Sequence, residues 1–161
     1  MAIRYFNLSI RNLAWRLRKF DEILGEFLVQ EIKNHSEEIV SLVTQKQLYE
    51  KGINGKNIEI MSYRPYKPST IKYKSKKGQP TNRVTLKDTG KWYSSLSVEF
   101  DVDGFFITSL TDNVKSGFLR KKYGDEILRL TNEDLNIVIR QHIRPALEEK
   151  LKAYLQSNEG L

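Results

Sequence analysis

Three of the four prolines and most of the excess positive charge lie in one segment, residues 61–92. This segment contains nine basic residues and one acidic residue, a net charge of +8, whereas the whole 161-residue chain carries +7. Proline removes a backbone donor and clashes with the preceding turn, so a long helix cannot pass through the segment. We therefore predict an extended basic loop or arm over residues 61–92, with helical units on either side.

An amphipathic pattern precedes this loop, with apolar side chains recurring at three- and four-residue steps. Its stripe comprises Leu13, Leu17, Phe20, Leu24, Phe27, Leu28 and Ile32. The pattern predicts a helix over Asn7 to Lys33, the main part of a long N-terminal helix assigned to residues 1–35. At 1.5 Å per residue this helix spans roughly 40 Å, which is long for a domain of this size. We therefore expect a neighbouring subunit to cover part of the stripe.

A second helix is predicted over Glu37 to Glu50, either separate or continuous with the first through a bend. Ser36 is the expected N-cap, and Gly52 is expected to end the helix in a left-handed conformation. The dipeptide Asn54-Gly55 then predicts a turn into a short strand near residues 57–60.

The C-terminal half alternates apolar and polar residues over Leu96 to Leu110, which predicts a β-hairpin turning at residues 101–104. A short helix is expected around residues 115–122. The last helix, 131–156, is predicted to begin at a Thr131 cap and to kink or split near Pro145. The predicted fold is a single α+β domain over residues 1–161, with long N-terminal helices and a C-terminal helix packed on a small antiparallel β-sheet.

Composition limits the class of protein. The chain has no cysteine, so disulfides and thiolate metal sites are excluded, and a reducing cytoplasm fits best. No apolar run approaches the roughly 18 residues of a membrane span, so no membrane partner is expected. Neither His35 nor His142 shows metal-ligand spacing to a second histidine or carboxylate, which favours structural roles for both. We predict no catalytic residue, no metal and no cofactor.

The triplet Asp88-Thr89-Gly90 matches that of retroviral-type aspartic proteases, which need two carboxylates sharing a proton. Here lysines at positions 87 and 91 bracket the triplet, whereas in those enzymes it follows an apolar run. A structural turn is the better interpretation, with Asp88 or Thr89 capping a short helical turn and Gly90 permitting tight backbone.

Tyrosines alternate with cations in the basic segment, an arrangement that can neutralise phosphates and stack on bases. A solvated loop with tyrosines packed on the sheet edge gives the same pattern. The predicted contacts to DNA or to a protein partner are Arg64, Lys67, Lys72, Lys74, Lys76, Lys77 and Arg83.

From about Ile39 onward, several short motifs occur in a characteristic order. They are Gln47-Leu48-Tyr49-Glu50-Lys51-Gly52, Asn54-Gly55-Lys56, Ile58, Tyr66, Tyr73-Lys74, Val84-Thr85-Leu86-Lys87-Asp88-Thr89-Gly90 and the strand from Ser94 to Phe100. In this order the chain resembles the neck and tail-completion proteins of tailed phages, the virion-morphogenesis group. Lys122-Tyr123-Gly124-Asp125 with Leu130-Thr131 resembles the branch found in phages and prophages of Bacteroidetes.

The resemblance implies a virion structural protein, assembled in the host cytoplasm, that forms a homo-oligomeric ring between capsid portal and tail. Leu86, Asp88, Thr89 and Gly90 would then define a structural turn. The basic segment would reach a neighbouring neck, portal or tail protein, or DNA in the channel. The alternative is a nucleic-acid-binding accessory protein that acts alone through the basic, tyrosine-rich segment.

Overall fold

Helices precede and follow one two-stranded hairpin in the computed structural model, which describes residues 10–109 and 113–157. The N-terminal half contains α1 (Ile10–Asn34), α2 (Ser36–Ser41), the π-helical segment π1 (Leu42–Lys51), α3 (Ile60–Tyr63), α4 (Pro68–Lys76) and α5 (Lys91–Ser94). The C-terminal half contains β1 (Leu96–Asp101), β2 (Gly104–Ser109), α6 (Asn113–Tyr123), a 3-10 turn (Asp125–Leu128), α7 (Asn132–Val138), the π-helical segment π2 (Ile139–Ile143) and α8 (Arg144–Gln156). The predicted α+β class is confirmed.

The first helical unit is nearly continuous from α1 to the end of π1. The start of the predicted helix at residues 7–9 lies outside the described residues. His35 interrupts the winding as the N-cap of α2 and makes no side-chain cap, so the prediction of Ser36 as N-cap was wrong by one residue. The prediction for Gly52 is confirmed, because it ends π1 with φ +69°, and a Cβ there would lie 2.7 Å from Arg83 Cβ.

The predicted hairpin is confirmed, with β1 and β2 paired antiparallel from Leu96 opposite Ser109 to Asp101 opposite Gly104. The strand predicted near residues 57–60 is corrected to one isolated bridge between Ile53 and Glu59. The Asn54 carboxamide closes this turn locally by accepting from Lys56 N and Ile58 N at 3.0 and 3.1 Å, and α3 begins at the next buried residue, Ile60.

The core forms where two helical units, α1 to π1 and α7 to α8, meet the hairpin. Trp92 is 1% exposed and is the largest fully buried side chain of the described residues. Around it lie Ile39, Val43, Leu48, Ile60, Val84, Ile127 and Val138, all nearly inaccessible. Val84 belongs to the basic segment, so this segment contributes to the core instead of projecting from it.

The last helical unit runs from α7 to α8 without a break, and it changes from α-helical to π-helical winding over π2. Thr131 caps α7 as predicted, with its hydroxyl accepting from Asp134 N at 3.1 Å. The predicted disturbance before Pro145 takes the form of π2, a wider turn that accommodates a residue without a backbone donor. α8 then runs back along α1. Arg16 Nη2 donates to Tyr154 O in the last turn of α8 at 2.6 Å and to Ser157 O, the residue after α8, at 2.7 Å.

None of the described helices is long and apolar enough to cross a bilayer.

Candidate functional site

The basic segment is folded, which corrects the prediction of an extended arm over residues 61–92. Its centre is α4, where Pro68 lies in the first turn, and a missing N–H is tolerated there because that donor has no partner within the helix. Downstream, Val84 and Leu86 enter the core and α5 follows. Proline therefore positions short helices here and does not exclude them.

Lys74 is a structural residue, contrary to its prediction as a partner or DNA contact. It is 6% exposed, and its ammonium donates to Gln79 Oε1 at 3.0 Å, Thr85 Oγ1 at 3.2 Å and Lys87 O at 2.6 Å. Three acceptors satisfy all three donors of the ammonium. The side chain thus connects α4 to the loop that returns into the core and cannot reach a partner from this position.

Lys77 and Asp88 form an exposed ion pair at 2.7 Å, and Tyr73 also donates to the same carboxylate at 3.0 Å. The hydrogen bond from Lys77 lowers the pKa of Asp88, and the same bond raises the pKa of Lys77. The ammonium also lies 4.3 Å from the Tyr73 ring centroid. A carboxylate engaged by a cation and a phenol differs from a protease carboxylate, which shares a proton with a second acid.

The turn predicted at residues 86–90 is built from positive-φ backbone and a buried hydrogen-bond network. Leu86 has φ +55° and Gly90 has φ +89°. Gly90 is the N-cap of α5, and the Thr89 hydroxyl accepts from Lys91 N at 3.3 Å. Beneath the turn Tyr93 donates to Thr85 O, and burial raises the pKa of the Tyr93 phenol. These contacts fit a structural role for the turn.

Arg83 is half-buried and also supports the fold. Its Nε donates to Tyr49 O at 2.7 Å near the end of π1, and its Nη1 donates to Asn82 Oδ1 at 3.0 Å. The guanidinium therefore binds a carbonyl near the C-terminus of a helix, where positive charge is stabilising.

Four of the seven predicted contacts remain available to a partner. They are Arg64, Lys67, Lys72 and Lys76, which are all exposed, and their side chains make no hydrogen bond or ion pair to another residue in the described ranges. Lys72 and Lys76 are four residues apart and share one face of α4. Tyr73 lies beside them on the same helix with 48% exposure. We call these four cations the α4 basic face, although Arg64 and Lys67 precede the first residue of α4.

An open cleft of about 1000 Å³ lies between β2 and the 3-10 turn. Its charged groups are paired with each other. Lys56 contacts Glu126 at 3.0 Å, Arg120 contacts Asp125 at 2.6 Å, and Arg129 contacts Glu126 at 3.3 Å. The Lys56 hydrogen bond lowers the pKa of Glu126. Such mutually neutralised pairs favour a structural role for this surface over proton transfer.

The structure brings together two histidines that the sequence pattern left apart. The rings of His35 and His142 stack with centroids 3.9 Å apart, and Glu38 lies beside both. This corrects the prediction that neither has a second ligand nearby. The His35-to-Glu38 step of three residues is visible in the sequence, but the contact with His142, 107 positions away, depends on the packing of π2.

Comparison of the chain with protein-family models, with curated proteins and with solved structures finds no match.

Proposed function

We propose that this protein is a structural subunit of a phage head–tail neck, assembling into a homo-oligomeric ring in the virion. The observation that carries the proposal is the incomplete covering of α1. This helix has 25 residues, yet Phe20 is its one buried residue among the described side chains. Leu13, Leu17 and Ile23 remain 39%, 45% and 38% exposed.

The exposed part of the stripe lies near the N-terminal end of α1, where the packing of α8 ends. α8 stops at Gln156, and its final carbonyls already contact Arg16. Trp15 is 45% exposed and lies about 200° around the helix from Leu13 and from Leu17, so apolar groups occupy two sides of this end. Fully burying a leucine contributes about 1.5–3 kcal/mol, and these side chains are already more than half buried, so a neighbouring copy gains part of that figure for each one that it covers.

A ring also gives the α4 basic face a collective effect. Each subunit adds four exposed cations, so a closed ring carries a band of positive charge. Such a band attracts DNA in a channel or an acidic neighbouring ring, and salt screens the attraction over about 10 Å at 0.1 M ionic strength. The motif order in which the sequence resembles neck and tail-completion proteins is the reason for proposing this assembly over other oligomers.

The first test is the mass of the purified chain in solution, measured by light scattering and by negative-stain electron microscopy. We expect a closed ring, and we expect Leu17→Glu to dissociate it into folded monomers, because a charge at the subunit contact must be desolvated. Ile58→Glu is the matched control, since Ile58 is similarly exposed at 46% but belongs to the turn closed by Asn54 and not to α1. A wild-type chain that stays monomeric and is absent from purified virions would contradict the proposal.

A second candidate function is nucleic-acid binding by the chain alone, favoured by the four available cations beside Tyr73. In a salt titration with DNA, Lys72→Ala combined with Lys76→Ala should weaken binding and reduce the slope of log K against log salt by about 1.8 for duplex DNA, because two phosphate contacts are lost. Lys56→Ala combined with Lys77→Ala is the matched control, since both cations are engaged in ion pairs. Equal slopes for both double variants would exclude the α4 basic face as a DNA contact.

A further inference from the structure

We propose that His35, Glu38 and His142 form a binding site for one divalent transition-metal ion of the Zn²⁺ class. The three side chains each offer one ligand atom, and these atoms all lie within 4.8 Å of one another. Glu38 Oε2 is 2.9 Å from His142 Nε2 and 3.9 Å from His35 Nδ1. Ligands about 2.0–2.2 Å from a tetrahedral Zn²⁺ stand roughly 3.4 Å apart, so each of these two separations lies about 0.5 Å from that spacing.

The local electrostatics favour a cation at this position. His142 Nε2 is a buried nitrogen that makes no hydrogen bond to another described residue, although Glu38 Oε2 lies 2.9 Å from it. One carboxylate oxygen thus faces two imidazole rings that are stacked at 3.9 Å. A metal ion bound at the three donor atoms would accept a lone pair from each of them at once, whereas a proton on one ring can satisfy only one acceptor.

The fold holds the three donors from two separate helical units. His35 is at the junction of α1 and α2, and Glu38 follows one turn later on the same face. His142 lies in π2, and π-helical turns inside longer helices occur frequently at functional sites. A bound ion would therefore join the base of α1 to the last helical unit, opposite the exposed end of α1 proposed to contact a second subunit.

The donor set selects the class of ion. Two imidazoles and one carboxylate suit Zn²⁺ and its transition-metal neighbours, whereas Mg²⁺ and Ca²⁺ prefer sites made of oxygen ligands. Three protein ligands leave a fourth position for water or for another group. This inference does not depend on ring assembly, because all three residues belong to one chain.

The test is calorimetric titration of the metal-free full chain, purified without a histidine tag, with Zn²⁺ and separately with Mg²⁺. We expect one Zn²⁺ per chain and no Mg²⁺ binding. Glu38→Gln should weaken Zn²⁺ binding at least about tenfold, because a charged ligand is lost. Glu37→Gln, the neighbouring exposed acid outside the cluster, should leave the affinity unchanged. Equal affinities for the two variants would overturn the proposal.

A second measurement needs no substitution. The chain contains only two histidines, so its two sets of imidazole C–H resonances report on this site alone. Both sets should shift or broaden together and saturate at one equivalent of Zn²⁺, and Mg²⁺ should move neither. Zn²⁺ should also raise the thermal midpoint of the wild-type chain by preferential binding to the native state. Histidine resonances that do not respond to Zn²⁺ would overturn the site whatever the state of assembly.

Discussion

Asp134→Ala is expected to lower the free energy of unfolding by about 3 kcal/mol, the lower end of the cost of breaking a buried ion pair. Asp134 is 1% exposed, and its carboxylate accepts from Lys46 Nζ and from Thr131 Oγ1, the latter at 3.0 Å. The substitution leaves the Lys46 ammonium without its partner and the buried Thr131 hydroxyl without its acceptor, whereas the cap of α7 is kept because its donor is the backbone N–H of residue 134. The cost stays at the lower end because the Lys46 side chain keeps 29% exposure and can be hydrated.

Urea denaturation followed by circular dichroism measures this loss, with Glu133→Ala as the matched control. Glu133 is the preceding residue, is 68% exposed and lies 3.9 Å from Lys51, so its removal should cost less than about 1 kcal/mol. The hydrogen bond to Asp134 raises the pKa of Lys46 above 10.5. The stabilisation that this raised lysine pKa contributes is therefore fully present well below pH 10.5 and is lost as pH rises through the raised pKa. Similar losses for both variants at pH 7 would contradict the assignment.

Local signals in the sequence predicted the elements whose causes are local. The alternation over β1 and β2, the Thr131 cap and the left-handed Gly52 each depend on a few neighbouring residues, and the structure contains all three. The prediction of a strand near residues 57–60 was wrong because a strand also needs a partner outside its own segment. A strand needs a partner at register, and the Asn54 carboxamide instead satisfies the nearby backbone donors within the turn.

The roles of the residues in the candidate site depend on contacts between distant parts of the chain, and the hydrophobic periodicity of the sequence does not indicate such contacts. Seven cations in one segment predicted seven partner contacts, but charge alone does not distinguish an ammonium in solvent from one that ties two loops together. Lys74 differs from Lys72 only in which side of α4 it occupies, and that is fixed by the returning Val84-to-Leu86 loop. The His35 and His142 pair likewise exists only because π2 packs against the start of α2.

Lys74→Ala is expected to lower the free energy of unfolding by about 2–3 kcal/mol, because buried acceptors lose their donor and the lysine stem leaves a void. Thr85 Oγ1 is fully buried, and Lys87 O accepts the shortest of the three hydrogen bonds at 2.6 Å. Lys74→Met should recover part of the loss, since it fills the space of the stem without donating. Chemical denaturation of the three proteins measures the difference between packing and hydrogen bonding.

Lys72→Ala is the matched control, because Lys72 lies on the same helix and is exposed. Its removal should change stability by less than about 0.5 kcal/mol, as is usual for surface substitutions. If Lys72 contacts DNA or an acidic subunit, this variant loses binding while its stability is kept, and Lys74→Ala shows the reverse. Equal free energies of unfolding for the two variants would contradict the structural role of Lys74. The Lys74 ammonium would then be exposed to solvent and counted with the α4 basic face. The two variants thus distinguish Lys74, which stabilises the fold of this surface, from Lys72, which is exposed and can contact a partner.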